Sequence, residues 1–170
     1  MPIEELVRQA VLSRRISLED LERLDRGNEL LELSDSIAFD LGLHIRRAAQ
    51  EQYRGRPVAI DISLTSGQQL FRGNSGDGCV ADNDEWIRRK RNTVRRFGHS
   101  SLYIGIKKGQ LDMREKFFAD PLEYAFHGGA VPLYIAGCTF PIATVTCSGL
   151  KQEEDHLLAA ECIRDFAKSM

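Results

Sequence analysis

An α+β fold, with a mainly antiparallel sheet flanked by helices, is what this 170-residue sequence predicts. Three observations carry that expectation. Val58, Ile60, Ile62 and Leu64 alternate with Ala59, Asp61 and Ser63, the period-two signature of a strand. Ser66-Gly67 and Gly137-Cys138 are turn pairs set between short strand-like runs, so neighbouring strands should form hairpins. Helical spacing appears between and around these hairpins rather than after every strand, which does not match a regular β-α-β alternation.

Taken in order, the chain opens with Ile3, Leu6, Val7 and Ala10 at helical spacing. Ser17 and Asp20 form a capping pair for a second short helix through Leu18, Leu21 and Leu24. Residues 1–27 thus read as an amphipathic helical arm, and residues 28–170 as a single domain. The pattern does not separate packing of the arm on its own domain from packing on a neighbouring subunit. Leu30, Leu31 and Leu33 suggest a short strand. Ser34 can cap a long helix from Asp35 to about Tyr53 with Ala38, Leu41, Ile45 and Ala48 on one face, stopped by Gly55 and Pro57.

After the 58–64 strand and its hairpin to Gln69–Arg72, Gly73 to Gly78 form a glycine-rich run. It lacks the Lys-Ser/Thr ending of a phosphate loop and reads as a turn. The helix from Asp84 to Phe97 buries Trp86, Ile87, Val94 and Phe97 and carries Arg88, Arg89, Arg91, Arg95 and Arg96 elsewhere. Lys90 falls inside the apolar stripe, where a lysine must snorkel, pair with a carboxylate or face a ligand cavity. Gly98 is placed as a C-cap, and Ser100 can open a helix through Leu102, Tyr103 and Ile106. Residues 109–120 read as loop with a turn of helix near Glu115 to Phe118. A strand at Val131 to Ala136, a turn, and a strand from Phe140 to Cys147 follow. The last helix presents Ala159, Cys162, Ile163 and Phe166 to the core.

Composition excludes several classes of function. The formal charge is -2 with acids and bases intermixed, so no nucleic-acid partner is expected. No run approaches the roughly 20 apolar residues of a membrane span, and the start of the chain does not resemble a signal peptide. Four cysteines, at 79, 138, 147 and 162, are far apart and spell neither a zinc ribbon nor a disulfide framework. A cytoplasmic protein without a membrane partner is expected.

The candidate site centres on Thr144 to His156, where an alternating strand meets a Ser148-Gly149 turn and a helix opens with Glu153, Glu154 and Asp155. Helix N–H groups at such a junction can face an anion, although carboxylates there also complement the helix dipole. His156, one turn into the helix beside Asp155, is a candidate ligand-contacting group. Gly128 and Gly129 permit close backbone approach, so His127 can be displayed at a loop edge. Lys90, His127, Gly128, Gly129, Ser148, Gly149, Asp155 and His156 are therefore the expected ligand-binding residues. No catalytic residue and no metal ligand is assigned. Ser148 and Lys151 make an S-x-x-K string without its S-D-N and K-T-G partners. His99, His127 and His156 lack a metal-ligand spacing, and Cys147 reads as a buried strand cysteine rather than a nucleophile.

Several segments together resemble a known family: Pro57-Val-Ala-Ile-Asp-Ile, Asn83-Asp-Glu-Trp-Ile-Arg-Arg-Lys-Arg-Asn-Thr-Val, Phe97-Gly-His-Ser-Ser, His127-Gly-Gly-Ala-Val-Pro and Ser148-Gly-Leu-Lys-Gln-Glu-Glu-Asp-His. They resemble uncharacterised protein family 0303, a branch of the heme-degrading-domain or GlcG-like superfamily, over about Leu30 to Phe166. The resemblance implies a profilin-like fold and a homo-oligomer. Lys151 and Val131 depart from the family wording, which has proline and phenylalanine at those places. The leading expectation is a non-catalytic, homo-oligomeric binding protein for a small anionic or tetrapyrrole (heme-like) ligand. The alternatives are an interaction scaffold without ligand and an enzyme using His127 or His156 as general base.

Overall fold

Three serines begin three helices of the computed structural model, which describes residues 5–170. The hydroxyls of Ser17, Ser34 and Ser100 accept the N–H groups of Asp20, Ile37 and Tyr103 at 3.1, 3.2 and 3.1 Å. Each thereby satisfies one of the donors a helix start leaves unpaired, as the capping pattern predicts. The helices are α1 (Glu5–Leu12), α2 (Leu18–Arg26), α3 (Asp35–Gln52), α4 (Ala81–Phe97), α5 (Ser101–Lys108), α6 (Met113–Phe117) and α7 (Gln152–Ser169). The strands are β1 (Ala59–Leu64), β2 (Gln69–Asn74), β3 (Ala130–Leu133) and β4 (Ala143–Ser148).

The four strands form one antiparallel sheet in the order β2-β1-β4-β3. Its two faces differ in chemistry. Ile60, Ile62, Val145, Cys147, Val131 and Leu133 meet α3 and α7 through Leu41, Ile45, Leu158 and Cys162, which is the main apolar core. The alternate residues Asp61, Ser63, Thr144, Thr146 and Ser148 form the other face, and all are buried. The helix α4 covers this polar face, so the alternation along β1 does not mark solvent on one side as it would in an open hairpin. Asp61 is satisfied there by Ser63 Oγ and Gln69 Nε2, both at 2.7 Å.

The arm packs on its own domain. Val11, Ile16, Leu21 and Leu24 form a second cluster with Leu102 of α5 and Leu157 of α7, and Arg8 pairs with Glu161. The apolar stripe of α1 is narrower than its spacing suggests: Leu6 is 83% exposed and Val11 takes the buried position. Ile3 lies outside the described residues. Because the arm covers its outer side, α7 is buried all round from Asp155 to Ala160, beyond the single core face expected of it.

Other expectations are corrected by backbone pairing. Leu30, Leu31 and Leu33 make no strand; Leu30 alone forms a parallel bridge to Ile135. The second hairpin pairs only Ala130–Leu133 with Ala143–Thr146, and a longer loop holds Phe140, which is 62% exposed. The arginines of α4 are neither a plain solvated face nor unattached. Arg88 reaches Glu123 and the Leu122 carbonyl at 3.0 and 2.8 Å, and Arg96 reaches the carbonyls of Phe117 and Phe118 at 3.0 and 3.2 Å. They staple the 117–123 segment to the helix. Among the described residues no helix is long and apolar enough to cross a membrane.

Leu21 is fully buried in the arm cluster, so Leu21→Ala is expected to destabilise the chain by about 2–5 kcal/mol through the cavity it leaves. Urea unfolding should show one transition with a lowered midpoint. An unchanged midpoint would mean that the arm adds nothing to the stability of the domain.

Candidate functional site

The polar face of the sheet ends at Ser148, where the chain turns into α7, and there α4 passes over it. Lys90 is held at this crossing because its place in the α4 stripe aims it at β4. Its ammonium is buried and donates to the Cys147 carbonyl and to Asp155 Oδ2, both at 3.3 Å. One position above all allows this approach. Gly129 has φ 137, and a Cβ there would lie 2.4 Å from the Cys147 oxygen and 2.7 Å from Lys90 Nζ. Any side chain at that position would therefore displace the lysine. On the other side Asp155 also accepts the N–H groups of Gly149 and Leu150, at 3.3 and 3.0 Å.

The Ser148-Gly149 turn is thus tied to the start of α7 from within. Three N–H groups leading into α7 are taken by the protein's own carboxylates: Asp155 for Gly149 and Leu150, and Glu154 for Lys151 at 3.2 Å. Burial pushes the Asp155 carboxyl above its usual range, against the opposing pull of Lys90 and the two backbone donors. Of the readings open to Lys90, it pairs with a carboxylate and also faces a hollow.

Above this pair lies a hollow of about 400 Å³ between the starts of α4 and α7. Lys90, His127, Ser148, Gly149 and Asp155 line it, so five of the eight expected residues come together. Gly128 and Gly129 sit behind the wall. The N–H of Gly128 donates to Gln152 Oε1 at 3.0 Å, and its bare Cα lets Gln152 approach, since a Cβ would meet the Gln152 carbonyl at 2.4 Å. His156 does not join the hollow. One residue beyond Asp155 it points about 100° further round the helix, toward the arm, where its Nε2 lies 3.0 Å from Asp25 Oδ1 and both groups are buried.

Sequence reasoning missed part of this site. Trp86, read as core, is half-buried and forms a wall of the hollow, with its ring edge-to-face on His127 at 4.9 Å between centroids. The indole also carries the Arg89 guanidinium, 4.3 Å from its centroid. Gln152 was not singled out either, and nothing in a lone glutamine at a helix start announces it. His127 is displayed as expected. Partial desolvation, then Lys90, Arg89, Arg14 and Lys108, hold its pKa below the ordinary histidine value, which leaves a neutral imidazole at pH 7. Burial pushes the Cys147 thiol well up and that of Cys162 to about 12, so neither supplies a thiolate. Among the described residues no group of three or more His, Cys, Asp or Glu is placed to hold a metal ion.

Comparison with known proteins bears on this arrangement. A family described as haem degrading protein HbpS-like matches residues 33–164. The UPF0303 protein YBR137W of Saccharomyces cerevisiae is 49% identical over 159 residues, 94% of this chain and 89% of that protein. The crystal structure of the Ybr137w protein superposes with a TM-score of 0.94 at 47% identity, covering 98% of each chain. The crystal structure of a PduOC:heme complex shares the fold alone, with a TM-score of 0.63 at 17% identity over 77% of this chain and 92% of that one.

Removing the lysine of the buried pair tests the centre of the site. Lys90→Met leaves Asp155 charged and uncompensated, a loss expected at about 3–5 kcal/mol at neutral pH. The Asp155 pKa, already raised in the folded chain, would rise further. The folded variant then takes up a proton that the unfolded chain does not hold, so its deficit should be smallest at low pH and grow as pH rises through the folded value. Urea midpoints for both proteins between pH 5 and 8 would show the gap widening with pH. A gap independent of pH would mean that Asp155 does not carry the charge.

Proposed function

Because the chain belongs to the haem degrading protein HbpS-like family, we propose that it is a homo-oligomeric, non-catalytic binding protein whose hollow at Trp86 and His127 takes a tetrapyrrole-like ligand. One observation carries this reading: a neutral imidazole stands against an indole at the mouth of a 400 Å³ hollow whose floor is a self-neutralised Lys90–Asp155 pair. A floor of that kind offers no free charge to a small inorganic anion, whereas an uncharged nitrogen donor beside a flat apolar wall suits a planar ring. The residues are compatible with haem on the same grounds. His127 would supply the nitrogen and Trp86 the wall, and haem when bound would contribute a redox-active iron. This chain's own part is to hold and orient the ring.

A catalytic role for the histidines has less support. His99 and His156 face the carboxylates of Glu22 and Asp25, away from the hollow. His127, which does face it, has no carboxylate within ion-pair range among the described residues to orient it as a general base. Assembly is supported by exposed apolar side chains on a segment that the α4 arginines hold in place: Phe118 is 84% exposed and Leu122 71%. Four free cysteines fit a reducing, cytoplasmic setting.

Two measurements test the reading. Haem titrated into the purified protein should give a saturable Soret band that His127→Ala abolishes and Trp86→Leu weakens, both variants keeping their melting temperature within a few degrees. A Soret region unchanged from free haem sinks the ligand. Light scattering should give a multiple of 19.2 kDa at both low and high salt, since apolar contacts are not screened. Phe118→Ser with Leu122→Ser should lower that mass, and a wild-type mass of one chain would refute assembly.

A further inference from the structure

On the far side of His127 lies a second hollow, of about 380 Å³, which shares His127 and Gln152 with the first. It is built by six parts of the chain: the turn between α1 and α2, the outer side of α4, the end of α5, the start of α6, the 121–127 segment and the start of α7. Three cations converge on it from separate elements, Arg14 from the turn, Arg89 from α4 and Lys108 from α5. Neither Arg89 nor Lys108 has an acidic partner among the ion pairs of the described residues. Arg89 reaches only the carbonyls of Glu85 and Pro121, at 3.4 and 3.5 Å, and Lys108 those of Gly109 and Leu111, at 3.2 and 2.8 Å. Most of the guanidinium's five N–H donors are therefore unused, although stacking on Trp86 fixes its plane.

The opposing charges are few and already engaged. Glu153 lies 3.3 Å from Arg14, which also donates to Gln152 Oε1 at 2.9 Å. Asp112 stands on the rim, but its Oδ1 accepts the N–H groups of Arg114 and Glu115 at 2.8 and 3.2 Å as the cap of α6. The sum over the lining is positive. His127, on the shared wall, lies in the same field: besides desolvation and Lys90, the cations Arg89, Arg14 and Lys108 disfavour its protonation. Among the described residues Arg14 is also one of two non-glycine residues with positive φ, at 58°. The backbone there holds a conformation of limited favour while its side chain is turned to the hollow.

We infer that this second hollow is an oxyanion site, in which Arg89 and Lys108, assisted by Arg14, bind a carboxylate or phosphate group of a small molecule. Arg89 offers a planar fork that matches carboxylate and phosphate geometry, and Lys108 offers a point charge. The site is distinct from the self-neutralised floor beneath the first hollow, and it stands whether or not a tetrapyrrole occupies that hollow. It also gives the N-terminal arm a part in binding, since Arg14 comes from it.

The test uses the full chain without haem, with inorganic phosphate and succinate as probes against sodium chloride at matched ionic strength. His127 imidazole signals, assigned with His127→Gln, are followed by NMR across pH, and heats of binding are measured in parallel. A bound oxyanion offsets the cations, so the His127 pKa should rise in a saturable manner with at least one probe. Response to phosphate alone identifies a phosphate site and response to succinate alone a carboxylate site. Arg89→Gln with Lys108→Gln should raise the His127 pKa in the absence of probe and weaken binding by more than about tenfold, ~1.4 kcal/mol. Arg14→Gln should weaken it by less. Each variant's melting temperature confirms that it is folded. No saturable response to either probe, or an undiminished response in the double variant, overturns the inference.

Discussion

One ion pair organises this molecule. Lys90 and Asp155, 3.3 Å apart and both buried, join the helix on the polar side of the sheet to the helix on its apolar side, across the end of β4. Desolvating two charges costs several kcal/mol each, and the geometry offsets it through the further hydrogen bonds each partner makes. Asp155 holds two backbone N–H groups besides the ammonium, and the ammonium holds a strand carbonyl besides the carboxylate. The turn after β4, the entry of α7 and the seat of α4 are thus fixed by one set of contacts. The bare Cα of Gly129 is a condition for all of them.

The buried polar face of the sheet is met by a second group of side chains, centred on Asp61. Asp61, Ser63, Thr144 and Thr146 lie under α4 with no water-facing side, a costly placement for any unmatched group, and Thr146 Oγ1 is left without a partner. Asp61 is matched by Ser63 and Gln69, with Arg91 Nη1 at 3.4 Å. Lys90 and Arg91, adjacent on one helix, therefore serve two different carboxylates on two different elements. A wholly apolar α4 could not sit on this face, and an α4 with these residues could not sit on the other one. The charges fix which face each helix takes, while the apolar core supplies most of the driving force.

What the sequence made legible follows from range. Caps, turns and the strand alternation are local, so Ser17, Ser34, Ser100, Gly98 and the β1–β2 hairpin are found where the pattern places them. The convergence of Lys90, His127 and Ser148 was legible because an ionisable group in an apolar stripe and glycine-marked loops each require an unusual surrounding. His156 was misplaced, since its neighbourhood in sequence, beside Asp155, differs from its neighbourhood in space, beside Asp25 of the arm. Leu30–Leu33 failed as a strand for a related reason: three leucines meet the propensity, but only Leu30 finds an edge to pair with. Arg14 and Gln152 carried no signal, because a charged residue in a turn and an amide at a helix start are ordinary on any surface.

The position of His127 between two hollows follows from these same constraints. On one side its neighbours are an indole and a charge pair that cancels itself, and on the other they are cations with few acids to cancel them. The two sides therefore differ in the ligand chemistry they tolerate. The first is suited to a flat and largely uncharged surface, the second to negative charge. Arg89 binds the two halves together, lying over the Trp86 ring that walls the first hollow while it lines the second. An anion that drew Arg89 away from Trp86 would alter the wall of the first hollow as well, and it would do so through one side chain without any movement of the backbone. Communication between the two sides would then rest on the stacking of Arg89 on Trp86, and on the proton that His127 gains when the surrounding positive charge is offset.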